Sequence, residues 1–245
     1  MAQRRIEYQG EYFDISYEKR KPLIVSKSPP LMLFLHGWGS NKEIMKLAFE
    51  RYFGEYEHIY IDMPGFGNSP NTKPLYTQDY ANIVKLFFSD ISARALKECL
   101  IVGHSFGGKV ALLCQAKEMI LLSSAGIPRA KPFGVRCKIA LAKVLNKCKF
   151  AALGRRFRSL DVQNMNEGMY QTFKNVVDED FSLLFSQYQG RAYIFWGKGD
   201  SATPLDSGKA LCALIPNQCF YPLEGDHYFF LKQGAEIERL YRSEQ

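Results

Sequence analysis

Short apolar runs alternate along the chain with longer stretches in which apolar residues recur every three or four positions. The runs occupy 31–35, 58–62, 99–104, 119–123, 191–196 and 218–223. A short run that is apolar at successive positions predicts a strand covered on both faces. The stretches between the runs predict helices: one capped by Asn41 and reaching about 53, one capped by Thr77 and reaching about 96, one from 106 to about 116, one from Pro204 to about 215, and a last one ending near 241. Ahead of them, 6–17 reads as two short strands around Gln9-Gly10. Two strands followed by repeated strand–helix units predict an α/β fold, a mainly parallel central sheet with helices on both faces. The alternation stops between 127 and 189, where the patterning is helical with no buried strand. The expected organisation is therefore a core domain made of 1–126 and 190–245, and a helical cap (lid) insertion at 127–189. That insertion would lie over the carboxyl ends of the strands, the edge where open α/β sheets place ligands.

The run at 99–104 passes directly into Gly103-His104-Ser105-Phe106-Gly107-Gly108 and then into a helical pattern. G-x-S-x-G between a strand and a helix is the nucleophile elbow, with the serine at the tip of a sharp turn. Such a turn strains the serine backbone by about 1–3 kcal/mol. Side chains two residues to either side would collide, which suits Gly103 and Gly107 to their places. A serine hydroxyl needs a base to take its proton, and the chain has only four histidines: His36, His58, His104 and His227. His36 belongs to a glycine-rich turn, His58 opens a strand, and His104 sits beside the serine, facing away across the elbow. His227 follows the last strand, at the same sheet edge as the elbow, and is the candidate base. Among the carboxylates, Asp200 leaves the strand 191–196. Asp206 falls inside the next helix, Asp226 cannot easily reach its own neighbour's ring, and Asp62 is read as the anchor of the loop 64–69. The candidate catalytic set is Ser105, Asp200 and His227, in the Ser…Asp…His order of this fold. An oxyanion needs donors already in place. The backbone N–H groups of Phe106 and Trp38 are the candidates, the latter in His36-Gly37-Trp38-Gly39.

Composition narrows the field. With 245 residues, 47% hydrophobic and 14% aromatic, the chain is globular and large enough for one α/β domain. The net charge of +7 is local: 127–158 holds ten Lys or Arg and no Asp or Glu. No nucleic-acid-binding motif accompanies it, so a nucleic-acid partner is not expected. Within it, Val135, Ile139, Ala142, Leu145 and Cys148 form one helical face with lysines between. That face would pack on the pocket and leave the lysines solvated. Two other readings are contact with an anionic membrane surface and the steering of an anionic substrate. Six cysteines with no C-x-x-C pair, no signal-peptide core and no run long enough to span a bilayer give a reduced, cytoplasmic expectation. No cofactor and no metal are expected, and nothing points to an oligomeric state.

The ordered motifs His36-Gly37-Trp38-Gly39-Ser40, Asp62-Met63-Pro64-Gly65-Phe66-Gly67-Asn68-Ser69, Gly103-His104-Ser105-Phe106-Gly107-Gly108, Trp196-Gly197-Lys198-Gly199-Asp200 and Gly225-Asp226-His227 resemble the α/β-hydrolase superfamily across nearly the whole chain outside the insertion. The resemblance is to its small esterase and C–C-bond hydrolase branch. It implies the α/β-hydrolase fold, a Ser-Asp-His triad and a helical cap. C–C hydrolases of ring-cleavage products usually have Trp after the histidine and Asn before the serine. Here those places hold Tyr228 and His104, which favours ester cleavage. The expectation is a carboxylesterase-like serine hydrolase acting through an acyl-enzyme on a small-molecule acyl substrate. The alternatives are C–C-bond hydrolysis, acyl transfer, and a small-molecule receptor that keeps the triad.

Overall fold

The computed structural model describes residues 2–128 and 165–245. Eight strands form one sheet in the order β1-β2-β4-β3-β5-β6-β7-β8. They are β1 (Ala2–Tyr8), β2 (Glu11–Arg20), β3 (Leu31–Leu35), β4 (Glu57–Ile61), β5 (Leu100–His104), β6 (Glu118–Leu122), β7 (Arg191–Gly197) and β8 (Gln218–Leu223). The hairpin β1–β2 turns on Gln9 and Gly10, both at positive φ, as a two-residue turn between twisted strands requires. β2 pairs antiparallel with β4, and every pairing from β4 to β8 is parallel.

The expected strands from β3 to β8 differ from the observed ones by a residue or so at their ends, whereas the pair expected at 6–17 is longer, beginning at Ala2 and ending at Arg20; the helices also differ. Helix α1 (Lys42–Phe49) is capped by Asn41, whose side chain accepts from Glu43 N at 3.1 Å. It stops short of the expected 53 because Phe53 takes a left-handed conformation, φ 50°. Helix α2 (Thr77–Ile91) is capped one residue earlier than expected, at Tyr76, whose N–H donates to Asp79 Oδ2 at 2.7 Å. The Thr77 hydroxyl instead donates to Glu179. α2 ends where Ser92 turns extended, and a separate 3₁₀ turn, Leu96–Glu98, leads into β5. Helix α3 is Phe106–Cys114. Of the insertion 127–189, only the ends are described: its returning limb carries α4 (Glu167–Val176) and the short α5 (Ser182–Ser186). The basic amphipathic stretch 133–149 lies outside the described residues. The core closes with α6 (Leu205–Leu214), a 3₁₀ turn Phe229–Lys232 and α7 (Gly234–Arg242).

Alternate residues of the central strands go to opposite faces, both covered, which is why their sequences are apolar at nearly every position. Leu33, Leu35, Ile59, Ile61 and Ile101 pack with α2 and α3. Met32, Phe34, Tyr60, Leu100 and Val102 pack with α1, α7 and Phe230 on the other face. Beyond β5, Leu121, Ile194 and Trp196 form a third cluster with Phe181 and Phe185 of the returning limb. Because β3 to β8 are parallel, the loops after β3, β5, β7 and β8 all emerge at one edge. Among the described residues no helix is long and apolar enough to cross a membrane.

Candidate active site

Ser105 stands between β5 and α3 with φ 50° and ψ −114°. Its backbone is clamped: its N–H donates to Leu122 O, and its carbonyl accepts from Gly108 N and Ala125 N, each at 3.0 Å. The flanking glycines allow the bend. A Cβ on Gly103 would lie 2.6 Å from Gly107 O, and one on Gly107 would overlap Leu35 O. The elbow therefore holds Ser105 in a conformation worth about 1–3 kcal/mol of strain, at the N-terminus of a helix whose first N–H groups lack intrahelical acceptors.

The loops after β7 and β8 bring Asp200 and His227 together. They are stitched past the strand ends by Lys198 N to Leu223 O and Gly199 N to Gly225 O, both 2.8 Å. His227 Nδ1–H donates to Asp200 Oδ2 at 2.7 Å. Asp200 also accepts from Ala202 N (2.8 Å), Thr203 N (2.9 Å) and the Thr203 hydroxyl (2.8 Å). Burial works to raise this carboxyl, but the hydrogen bonds from His227 and Thr203 outweigh it and hold it below the ordinary carboxylate range. The set-aside carboxylates are occupied elsewhere. Asp206 pairs with Lys209 on the surface, and Asp226 accepts from Tyr228 N. Asp62 accepts from Lys42 N and Nζ, both 2.7 Å, and from Asn68 N at 2.9 Å, so it does anchor the loop 64–69.

His36 locks the loop after β3 to that same loop. Its Nε2 accepts from Met63 N at 3.0 Å, so the ring proton is on Nδ1, which donates to Gly37 O at 2.8 Å. Trp38 then stands edge-on to Phe106, ring centroids 5.6 Å apart, and to Phe66 at 4.9 Å. The backbone N–H groups of Trp38 and Phe106 donate to no described group. Phe173 of α4 covers Trp38 at 5.4 Å.

The structure thus joins Asp200 to His227 directly and Trp38 to Phe106 by ring contact. The Ser105 hydroxyl makes no hydrogen bond among the described residues. The loop of His227 is instead held to the elbow by His104, whose part the sequence reading missed. His104 is buried, and its Nε2–H donates to the His227 carbonyl at 3.0 Å. Its ring packs at 4.6 Å from that of His227 and 4.7 Å from that of Phe230. Burial pushes it down to about 3, so it is neutral. No local pattern marks a histidine as a support for a loop so distant in sequence. Thr203 was missed too, although Asp-Ser-Ala-Thr is the signature of an Asx turn at a helix start. Among the described residues no cluster of three metal-ligating side chains occurs.

The chain is similar to known hydrolases over its length. It is 25% identical to the uncharacterized hydrolase YugF of Bacillus subtilis, over 84% of this chain and 86% of that protein. It is 22% identical to the pimeloyl-[acyl-carrier protein] methyl ester esterase of Chromobacterium violaceum, over 86% of this chain and 92% of that protein. The esterase EaEST of Exiguobacterium antarcticum superposes with a TM-score of 0.74 at 19% identity, over 98% of each chain. The model of the alpha/beta hydrolase family matches residues 32–240, and the chain belongs to that family.

Proposed function

We propose that this hydrolase cleaves small carboxylic esters through an acyl-enzyme. Ser105 is the nucleophile, His227 the general base, Asp200 its orienting carboxylate, and the N–H groups of Trp38 and Phe106 the oxyanion hole. The observation that carries this reading is the 2.7 Å pair of Asp200 and His227 at the sheet edge where Ser105 is held in strain. With its Nδ1–H engaged by Asp200, the imidazole keeps Nε2 free to accept the serine proton. The serine oxygen adds to the ester carbonyl, and the two N–H groups receive the oxyanion. His227 then returns its proton to the leaving alcohol as the acyl–oxygen bond breaks. Water, deprotonated by the same ring, releases the acid and regenerates Ser105. The lack of a serine–histidine hydrogen bond is compatible with this, since such contacts tighten when substrate binds. The esterase names among the relatives support the ester class, and residues 127–189 serve as the cap.

The test is turnover of p-nitrophenyl acetate and butyrate alongside labelling by a serine-directed fluorophosphonate. Wild type is expected to do both, and Ser105→Ala neither while remaining folded. Full labelling of Ser105→Ala would remove the serine assignment. Labelling of wild type without turnover of any ester would favour the receptor reading.

A further inference from the structure

Resting on the reading of Ser105 as the nucleophile, we infer that Lys109 is a positioning residue. Its ammonium latches the returning limb of the insertion onto the elbow helix and thereby sets where α4 meets Trp38.

Lys109 lies four residues after Ser105, on α3, with its side chain 3% exposed. Its Nζ donates to Val176 O at 2.6 Å and to Glu179 Oε2 at 2.9 Å. Val176 is the last residue of α4, so the ammonium sits at the negative end of that helix. The same Nζ lies 5.6 Å from the ring centroid of Phe106 and 4.9 Å from that of Phe181, within cation–π range of both. Glu179 also accepts from Thr77, which draws the first turn of α2 into the cluster. The two limbs of the insertion meet here: Phe181 N donates to Gly126 O at 2.9 Å, and a Cβ on Gly126 would lie 3.3 Å from Lys109 Cγ. One charged group therefore joins the elbow helix, the end of α4 and both limbs.

What it positions is the wall beside the oxyanion loop. α4 sets Phe173 against Trp38 and Met169 against Gly65, and Thr172 Oγ1 accepts from Leu75 N at 2.9 Å. An apolar residue would fill the Lys109 site without the cost of desolvating a charge. The lysine contributes direction: its donors are satisfied in one arrangement of the limb, whereas a methionine would tolerate several. Lys109 touches no reacting atom, so its effect falls on how the acyl group is held.

The experiment measures kcat and KM for p-nitrophenyl acetate, butyrate and octanoate in wild type, Lys109→Met, Lys109→Arg and Glu179→Gln. Amide hydrogen exchange over 167–181 is followed in parallel. Lys109→Met is expected to raise KM for the longer esters about tenfold, with kcat falling far less and the pH dependence of kcat kept. Exchange should quicken over 167–181 and stay slow in β5. Lys109→Arg should restore part of the KM, and Glu179→Gln should shift it the same way by a smaller factor. Unchanged KM and chain-length preference in both Lys109→Met and Glu179→Gln would overturn the proposal. So would a uniform fall in kcat on all three esters with slowed fluorophosphonate labelling, which would place Lys109 in the geometry of the elbow itself. If Lys109→Met does not fold, Glu179→Gln decides. If wild type neither turns over an ester nor labels, the esterase reading fails, while the exchange measurement still decides whether the latch exists.

Discussion

Asp200 accepts four hydrogen bonds, and only one of them comes from His227. The other three fix the carboxylate before the histidine arrives. Asp200→Asn keeps the shape but places an amide where every partner donates, and it weakens the hold on the imidazole tautomer. On the proposed mechanism this costs turnover by up to ~10⁴. Asp206→Asn and Asp226→Asn, which alter a surface pair and a turn, should leave it close to wild type. Kinetics of the three variants check this, and a larger loss for Asp226→Asn than for Asp200→Asn would refute the assignment. At this scale the sequence was legible wherever a residue's neighbours in the chain reveal its setting. Ser105 is announced by its glycines and Asp200 by the strand it leaves. His104 was not, because its partner is the backbone of a residue on another loop. Thr203 carries a local signal, the Asx turn of Asp200-Ser201-Ala202-Thr203.

Among the elements, the closest approach that matters is between the N-terminus of α3 and the end of β3. A Cβ on Gly107 would overlap Leu35 O and lie 2.7 Å from His36 O. Gly107→Ala must therefore push α3 away from the loop that carries Trp38. The N–H groups of Trp38 and Phe106 would separate, and on the proposed mechanism turnover should fall about 10²–10³-fold, the scale of losing one oxyanion donor. Steady-state kinetics together with a melting curve test this: a folded Gly107→Ala with wild-type kcat would contradict it. The strands from β3 to β8 were readable to within a residue or so because burial on both faces leaves an apolar run; the outer ends of β1 and β2, with exposed polar residues such as Gln3, Arg4 and Arg20, were not. Helix ends were less so. α2 stops at Ile91 although the apolar spacing continues, because the chain must leave the helix at Ser92 to enter β5 from the correct side. That requirement is tertiary and leaves no local mark.

For the molecule as a whole, three of the four histidines lie buried in the sheet or at its edge. Burial pushes His104 and His58 down to about 3 and His36 to about 4. In an unfolded chain a histidine titrates near ~6.5. Between these values the unfolded chain binds protons that the folded one refuses. The histidines' contribution to stability is therefore fully present above about pH 6.5 and is lost as pH falls toward 4. All three histidines act in the same direction inside that window, so their effects add. Melting temperatures measured from pH 7.5 down to 4.5 should fall progressively, and a flat profile would show that these rings are protonated without penalty in the fold.

Gly126 O and Phe181 N stand 2.9 Å apart, so the segment 127–180 begins and ends side by side. A detour whose ends already touch asks little of the sheet beneath it. Doubling its length adds only about 0.6 kcal/mol of closure entropy. A segment of another length joined at that seam would leave the pairing of the strands beneath it as it is.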